Sequence, residues 1–223
     1  MVTAVFAALA YLLGMVSAGG AAGGMVVGTL VYAGLGAPGF AVLALFVVGG
    51  SLLTRLGYER KHRSGIAEAR GGRRGAKNAL ANGGVAVACA LLAATTPYGE
   101  GFAAAFVAAL GAAFADTAES EVGQLAGGCP RLITTMQKVR PGTDGALSLA
   151  GTLAGVAAAG ITAALGAVLG LSGDVVPVAA AAFLGTVADS LMGALAPRVG
   201  NELTNLSGTL AAALMAFFLA GGV

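Results

Sequence analysis

Charge is scarce in this 223-residue chain: 10% of residues are Asp, Glu, Lys or Arg, against 57% hydrophobic, and the mean hydropathy is +0.89. Apolar runs recur along the whole length, which leaves no stretch for a soluble domain and points to a polytopic membrane protein. Histidine occurs once, at His62, among charged neighbours. It reads as solvent-exposed and takes no catalytic role. The two cysteines, Cys89 in an apolar segment and Cys129 in a loop, have neither metal-ligand spacing nor an evident mutual partner, so both read as free thiols. Met1 is followed by no basic region and no small-residue cleavage pattern, so the start reads as a retained helix and not a signal peptide.

What the chain has in abundance is alanine and glycine. Thirty-eight glycines would weaken ordinary helices, but in lipid small residues let helix backbones approach closely. A crossing needs roughly 20 apolar residues, and the sequence offers segments near 2–17, 21–36, 38–56, 78–95, 100–116, 146–170, 176–195 and 205–221. Gly19, Gly20, Gly23 and Gly24 leave open whether residues 1–36 cross once or twice. The expected fold is all-α: one transmembrane domain spanning 1–223, with about seven or eight tightly packed helices.

Eight of the twelve basic residues lie between Arg55 and Lys77, and Arg131, Lys138 and Arg140 precede the sixth segment. The positive-inside rule then puts loops near 57–77, 122–143 and 196–204 in the cytoplasm, and an even number of crossings between them agrees. A prokaryotic inner or plasma membrane is the expected location.

Polar residues at the edges of these segments are the candidates for function, because a carboxylate near hydrocarbon is costly unless it faces protein, water, a cation or a substrate. In Gly71-Gly72-Arg73-Arg74-Gly75 the glycines let the backbone approach a phosphate chain while guanidinium forks bind its oxygens. Lys77 follows, then Asn78 and Asn82 at helical i, i+4 spacing. Asp116, Glu119, Ser120 and Glu121 close the fifth segment; Asp116 shares a face with Glu119 and Ser120, while Glu121 points elsewhere. Acids at a helix C-terminus oppose its dipole and call for an offsetting cation. Asp116 and Ser120 are oxygen donors of the kind that hold hydrated magnesium. Before the sixth segment come Lys138, Arg140, Thr143 and Asp144, where Thr143 or Asp144 is expected to cap the new helix and leave its amides to an anion. Asp189 lies inside an apolar run, followed by Asn201 and Asn205.

These motifs resemble the family that includes the phytyl-phosphate kinase of plants and cyanobacteria and the animal membrane protein called transmembrane protein 19. The resemblance rests on Gly-Gly-Arg-Arg-Gly with Ala81-Asn82-Gly83, on Ala115-Asp116-Thr117 with Ser120-Glu121 and Gly123, on Arg131-Leu132-Ile133-Thr134-Thr135 with Pro141-Gly142-Thr143-Asp144-Gly145, and on Asp189-Ser190 with Gly193-Ala194. It covers nearly the whole chain. Family members usually carry an aromatic residue where Ala118 stands and a small one where Glu119 stands, so Asp116 and Glu121 rank above Glu119.

The resemblance implies a membrane kinase that moves a phosphoryl group from a nucleoside triphosphate, with CTP a candidate, to an isoprenyl monophosphate such as phytyl phosphate. On that reading Arg73, Arg74, Lys77, Asn78, Asn82, Ser120, Lys138, Thr143 and Asn205 bind the phosphates and nucleotide. Asp116, Glu121, Asp144 and Asp189 form the catalytic set, with Mg2+ held by Asp116, Glu121 and Asp189. The partners are the lipid bilayer, the isoprenyl phosphate and the nucleotide, with no nucleic acid. A nucleotidyl- or alcohol-phosphate transferase would share such a site, and a small-solute or ion transporter remains the third class, although its polar groups would sit nearer the midplane.

Overall fold

The computed structural model describes residues 1–220. It has eight α-helices: α1 (Val2–Leu12), α2 (Ala18–Arg55), α3 (Tyr58–Arg63), α4 (Ala76–Thr95), α5 (Gly99–Ala126), α6 (Leu149–Val168), α7 (Val175–Leu195) and α8 (Asn201–Leu219). Six of them, α2 and α4 to α8, are long and apolar enough to cross a bilayer. The expected all-helical membrane fold is the observed one. A two-stranded antiparallel hairpin, β1 (Arg131–Leu132) with β2 (Ala146–Leu147), interrupts it between α5 and α6.

A straight helix of α2's 38 residues would be about 57 Å long, well beyond a bilayer core. Gly36 prevents this. Its φ of 63° and ψ of −152° lie outside any helical region, and glycine adopts them without steric penalty. The chain folds back there, because a Cβ on Gly28 would sit 3.1 Å from the Phe40 ring and the Tyr32 and Phe40 centroids are 6.2 Å apart. In a continuous helix residues 28 and 40 would be about 18 Å apart. The expected segments 21–36 and 38–56 are thus the two limbs of a hairpin, 18–35 and 37–55. The first segment is shorter than expected. α1 stops at Leu12, about 16 Å long, and Gly14 at φ 67° turns the chain towards Ser17, whose hydroxyl accepts from Gly20 N and caps α2.

α5 is the axis of the bundle. Its apolar window is 83% buried inside protein, and it packs against α2, α4, α6, α7 and α8. Small side chains make this possible: Ala104, Ala105, Ala108, Ala109, Ala112 and Ala115 are all nearly or fully buried. Phe106 and Leu110 fill the larger gaps. At the far end Tyr98 meets the Phe217 ring edge-on and Phe102 packs against it at a tilt. Cys89 is buried and Cys129 exposed, and both are free, as their spacing indicated.

Candidate functional site

All twelve Lys and Arg residues belong to one end of the bundle, in the elements and loops at 55–77, 131–140 and 198. Of ten acidic residues only Glu100 and Asp174 stand at the other end. Into the charged end opens a cleft of about 1050 Å³ whose walls come from the α2 entrance, the 65–78 loop, α4, the end of α5, the 141–148 segment, α7 and the start of α8. Of the candidates expected from sequence, Lys138 and Arg140 lie outside it and the others line it. Lys138 bridges the backbone of Arg131 in the hairpin, with an exposed side chain outside the cleft.

One wall is basic. Arg74 is fixed through its backbone, which donates to Met15 O (3.2 Å) and accepts from Ser17 N (3.0 Å). Its guanidinium lies over the Phe46 ring at 5.1 Å and donates to Thr117 Oγ1 at 3.0 Å, while Nη1 is shielded from solvent with no hydrogen-bond partner. Burial pushes the Arg74 pKa down, and Glu68, Glu121 and Asp116 oppose that shift. The group stays charged. A buried guanidinium nitrogen without an acceptor is an unmet demand for an anion. Arg73 and Lys77 are exposed along the same wall. α4 begins here at Ala76 after its N-cap Gly75, which supplies no side-chain cap, so its first amides are available to a phosphate.

The opposite wall is acidic. Asp116 lies on α5 in the electrostatic range of Asp189, Glu119 and Arg74. Asp189 on α7 accepts from the Asn205 amide at 3.0 Å, and Asn205 accepts in turn from Asn82 Nδ2 at 3.2 Å, with the Asn205 amide oriented to meet both partners. The bond chain Asn82–Asn205–Asp189 ties α4, α8 and α7 together beside Asp116. Asn82 Nδ2 also donates to Asn78 O at 3.1 Å. Asp144 joins this wall because Gly145 and Gly193 let the 141–148 segment press on α7: a Cβ on Gly145 would overlap Ser190 O and Ala194, and one on Gly193 would lie 3.3 Å from the Asp144 Cβ. Thr143 and Ser120 are exposed at the rim.

Two expectations need correction. Neither Thr143 nor Asp144 caps α6. The β-hairpin delays the helix start to Leu149, and Ser148 is the cap, its Oγ accepting from Gly151 N at 3.1 Å. Thr143 instead donates to Arg140 O at 2.7 Å within its own turn. The second concerns Glu121, which points away from Asp116 into an ion pair with Lys61, Nζ to Oε2 2.5 Å. Lys61 is only 1% exposed and also donates to Thr54 O (2.8 Å) and Leu53 O (3.4 Å) at the C-terminus of α2. The cation that Glu121 requires comes from the protein. Among the described residues no three His, Cys, Asp or Glu side chains gather as a metal cluster, so Asp116, Glu121 and Asp189 are not a preformed trio. Magnesium usually takes only one or two protein carboxylates with phosphate and water oxygens. The hard-oxygen pair Asp116 and Asp189, with Asn205 beside it, fits that donor set.

Glu119 turns to α6, where Oε1 accepts from Thr152 Oγ1 at 3.1 Å. Sequence reading missed Lys61 and Thr117. Lys61 lay unremarked in a basic run, and nothing local marks Thr117 as the partner of an arginine 43 residues away.

The chain is 35% identical over 154 residues to the chloroplastic protein VTE6 of Arabidopsis thaliana, covering 67% of this chain and 46% of that one. It is 41% identical over 143 residues to an uncharacterised membrane protein of Synechocystis sp., covering 63% and 55%. A third relative, protein PGR of Arabidopsis thaliana, is 34% identical over 131 residues, covering 53% and 46%. The chain therefore spans about half the length of the curated relatives it matches. No solved structure matches it. The family described as Integral membrane protein DUF92 matches residues 1–203, nearly the whole chain, and the protein belongs to that family.

Proposed function

We propose that this protein is a membrane-embedded kinase that transfers the terminal phosphoryl group of a nucleoside triphosphate, with CTP a candidate, to an isoprenyl monophosphate, and that its cleft faces the cytoplasm. The observation that carries the reading is a single cleft at the mouth of a membrane bundle with an arginine-rich wall and helix N-terminus on one side and Asp116, Asp189 and Asp144 on the other. Phosphoryl transfer needs this division, since catalysis is alignment plus charge neutralisation. An oxygen of the acceptor phosphate attacks the terminal phosphorus, the bond to the bridging oxygen breaks, and the nucleoside diphosphate leaves. No protein nucleophile is required.

Arg73, Arg74, Lys77 and the first amides of α4 hold phosphate oxygens and spread their charge. Asp116 and Asp189 would hold Mg2+, and Asn205, fixed by Asn82, orients Asp189. Bound magnesium would supply neutralisation of the charge on the reacting phosphates. Asp144 positions the nucleotide from the rim. The resemblance to the phytyl-phosphate kinase family supports the isoprenoid acceptor, whose tail stays among the Ala/Gly-rich helices.

The test is a product-mass assay on purified protein in detergent, with a panel of nucleoside triphosphates against phytyl, geranylgeranyl and longer prenyl monophosphates. Prenyl diphosphate with nucleoside diphosphate is the expected outcome. Release of pyrophosphate with a nucleotidylated lipid would replace the kinase by a nucleotidyltransferase, and no turnover with any pair would overturn both.

A further inference from the structure

The loop at 13–17 lies outside the charge-bearing motifs, yet it holds the backbone of Arg74. Met15 O and Ser17 N bracket residue 74 in a short parallel bridge centred on Val16. From below, Gly20 on the first turn of α2 is packed so closely that a Cβ there would overlap the Arg74 carbonyl oxygen and lie 3.1 Å from the Val16 Cβ. Thr117 and Phe46 then fix the guanidinium. We propose that residues 15–17 and Gly20 form a backbone seat that aims Arg74 at a phosphate in the cleft, making the turn from α1 into α2 a positioning element of the site.

The reasoning is geometric. A flexible arginine at the surface loses much rotamer freedom when it grips an anion, whereas one held at both backbone and head is already organised for the contact. Raising the seat by one methyl group at Gly20 should push the 74 backbone outward and misdirect the fork. The substitution does not weaken α2 itself, since alanine favours helix more than glycine does. Gly24 is the control one turn along, because a Cβ there meets nothing within 4 Å.

The inference rests on the phosphate reading of Arg74, so the probe is inorganic pyrophosphate, titrated calorimetrically against the full chain in detergent without any turnover assay. Wild type and Gly24→Ala should bind alike. Gly20→Ala should bind about tenfold more weakly, the scale of one lost hydrogen bond to a charged group. If Gly20→Ala fails to fold by ligand-free thermal melting, a second pair decides. The Ser17 φ of −76° suits proline, so Ser17→Pro removes the cap and the amide that donates to Arg74 O, whereas Ser17→Ala removes the cap alone. Weaker pyrophosphate binding in Ser17→Pro than in Ser17→Ala supports the seat, and equal binding overturns it. Equal binding by wild type and Gly20→Ala would likewise overturn the seat while leaving the phosphate reading intact. No binding by the wild type would overturn both.

Discussion

Asp116 and Glu121 stand five residues apart on α5, yet the bundle treats them in opposite ways. Glu121 faces the α2–α3 side, where buried Lys61 meets its carboxylate and ties down the last carbonyls of α2. Asp116 faces α7 and α8, where the neighbours are Asp189, Asn205 and Asn82, and among the described residues no lysine or arginine makes a salt bridge to it. One acid is answered within the fold; the other sits among acids and amides at the floor of a cleft. Both are close to hydrocarbon, so charge alone does not mark a site. A carboxylate that forms no ion pair within the protein, with Arg74 nearby but turned to Thr117, is the better functional candidate.

The comparison breaks most sharply at Lys61. Lys61→Met strands Glu121 as a buried, uncompensated charge, which should lower stability by about 3–5 kcal/mol. Adding Glu121→Gln to Lys61→Met removes the stranded charge and should restore much of the loss. Thermal unfolding in detergent reads both. If the single and double variants melt together, Lys61 acts only through the α2 carbonyls, and the contrast between the two acids loses its first half.

The second half rests on Asp116. Asp116→Asn preserves shape and should leave the melting temperature near wild type while lowering turnover at least roughly tenfold, equivalent to about 1.4 kcal/mol of transition-state stabilisation. Full turnover in this variant, or in excess chelator, would remove the metal from the proposed mechanism.

The two acids also show what a sequence can and cannot display. Apolar runs and glycine breaks report how each segment meets lipid, so the all-helical membrane fold, the separation of 21–36 from 38–56 and the gathering of basic loops at one end were readable in one dimension, whereas the expected seven or eight crossings exceed the six helices long enough to span. So was the opposite facing of Asp116 and Glu121, which follows from helical periodicity. Their partners were not. Lys61 meets Glu121 across 60 residues and Thr117 meets Arg74 across 43, pairings fixed by which helices the alanine-rich α5 packs against. The start of α6 was misread for a related reason: β1–β2 pairing holds Thr143 and Asp144 in a turn, and only Ser148 reaches the capping position.

Arg74 gives a finer contrast, between its fixed fork and the exposed arginines of α3. Arg74→Lys keeps the charge but loses the planar two-pronged contact, and its ammonium cannot bridge Thr117 and a phosphate in the same way. A Michaelis constant raised by about tenfold is expected, on the scale of one hydrogen bond to a charged group. Arg60→Lys and Arg63→Lys, on exposed side chains outside the cleft, should change it little. Matching kinetics in all three variants would reduce the basic wall to an orientation signal.

The smallest effect belongs to Glu119, which lies between the two acids and follows neither pattern. It is buried like Glu121 but meets a hydroxyl, Thr152 on α6, in place of a cation. Glu119→Gln keeps an oxygen that can accept from Thr152, and even complete loss of one interhelical hydrogen bond in a membrane bundle averages only about 0.6 kcal/mol. Stability and turnover should both stay close to wild type, measured by the same melting and product-mass assays. A turnover loss as deep as that of Asp116→Asn would draw Glu119 into the metal set, and the dividing line on α5 would then run between Glu119 and Glu121 instead of beside Asp116.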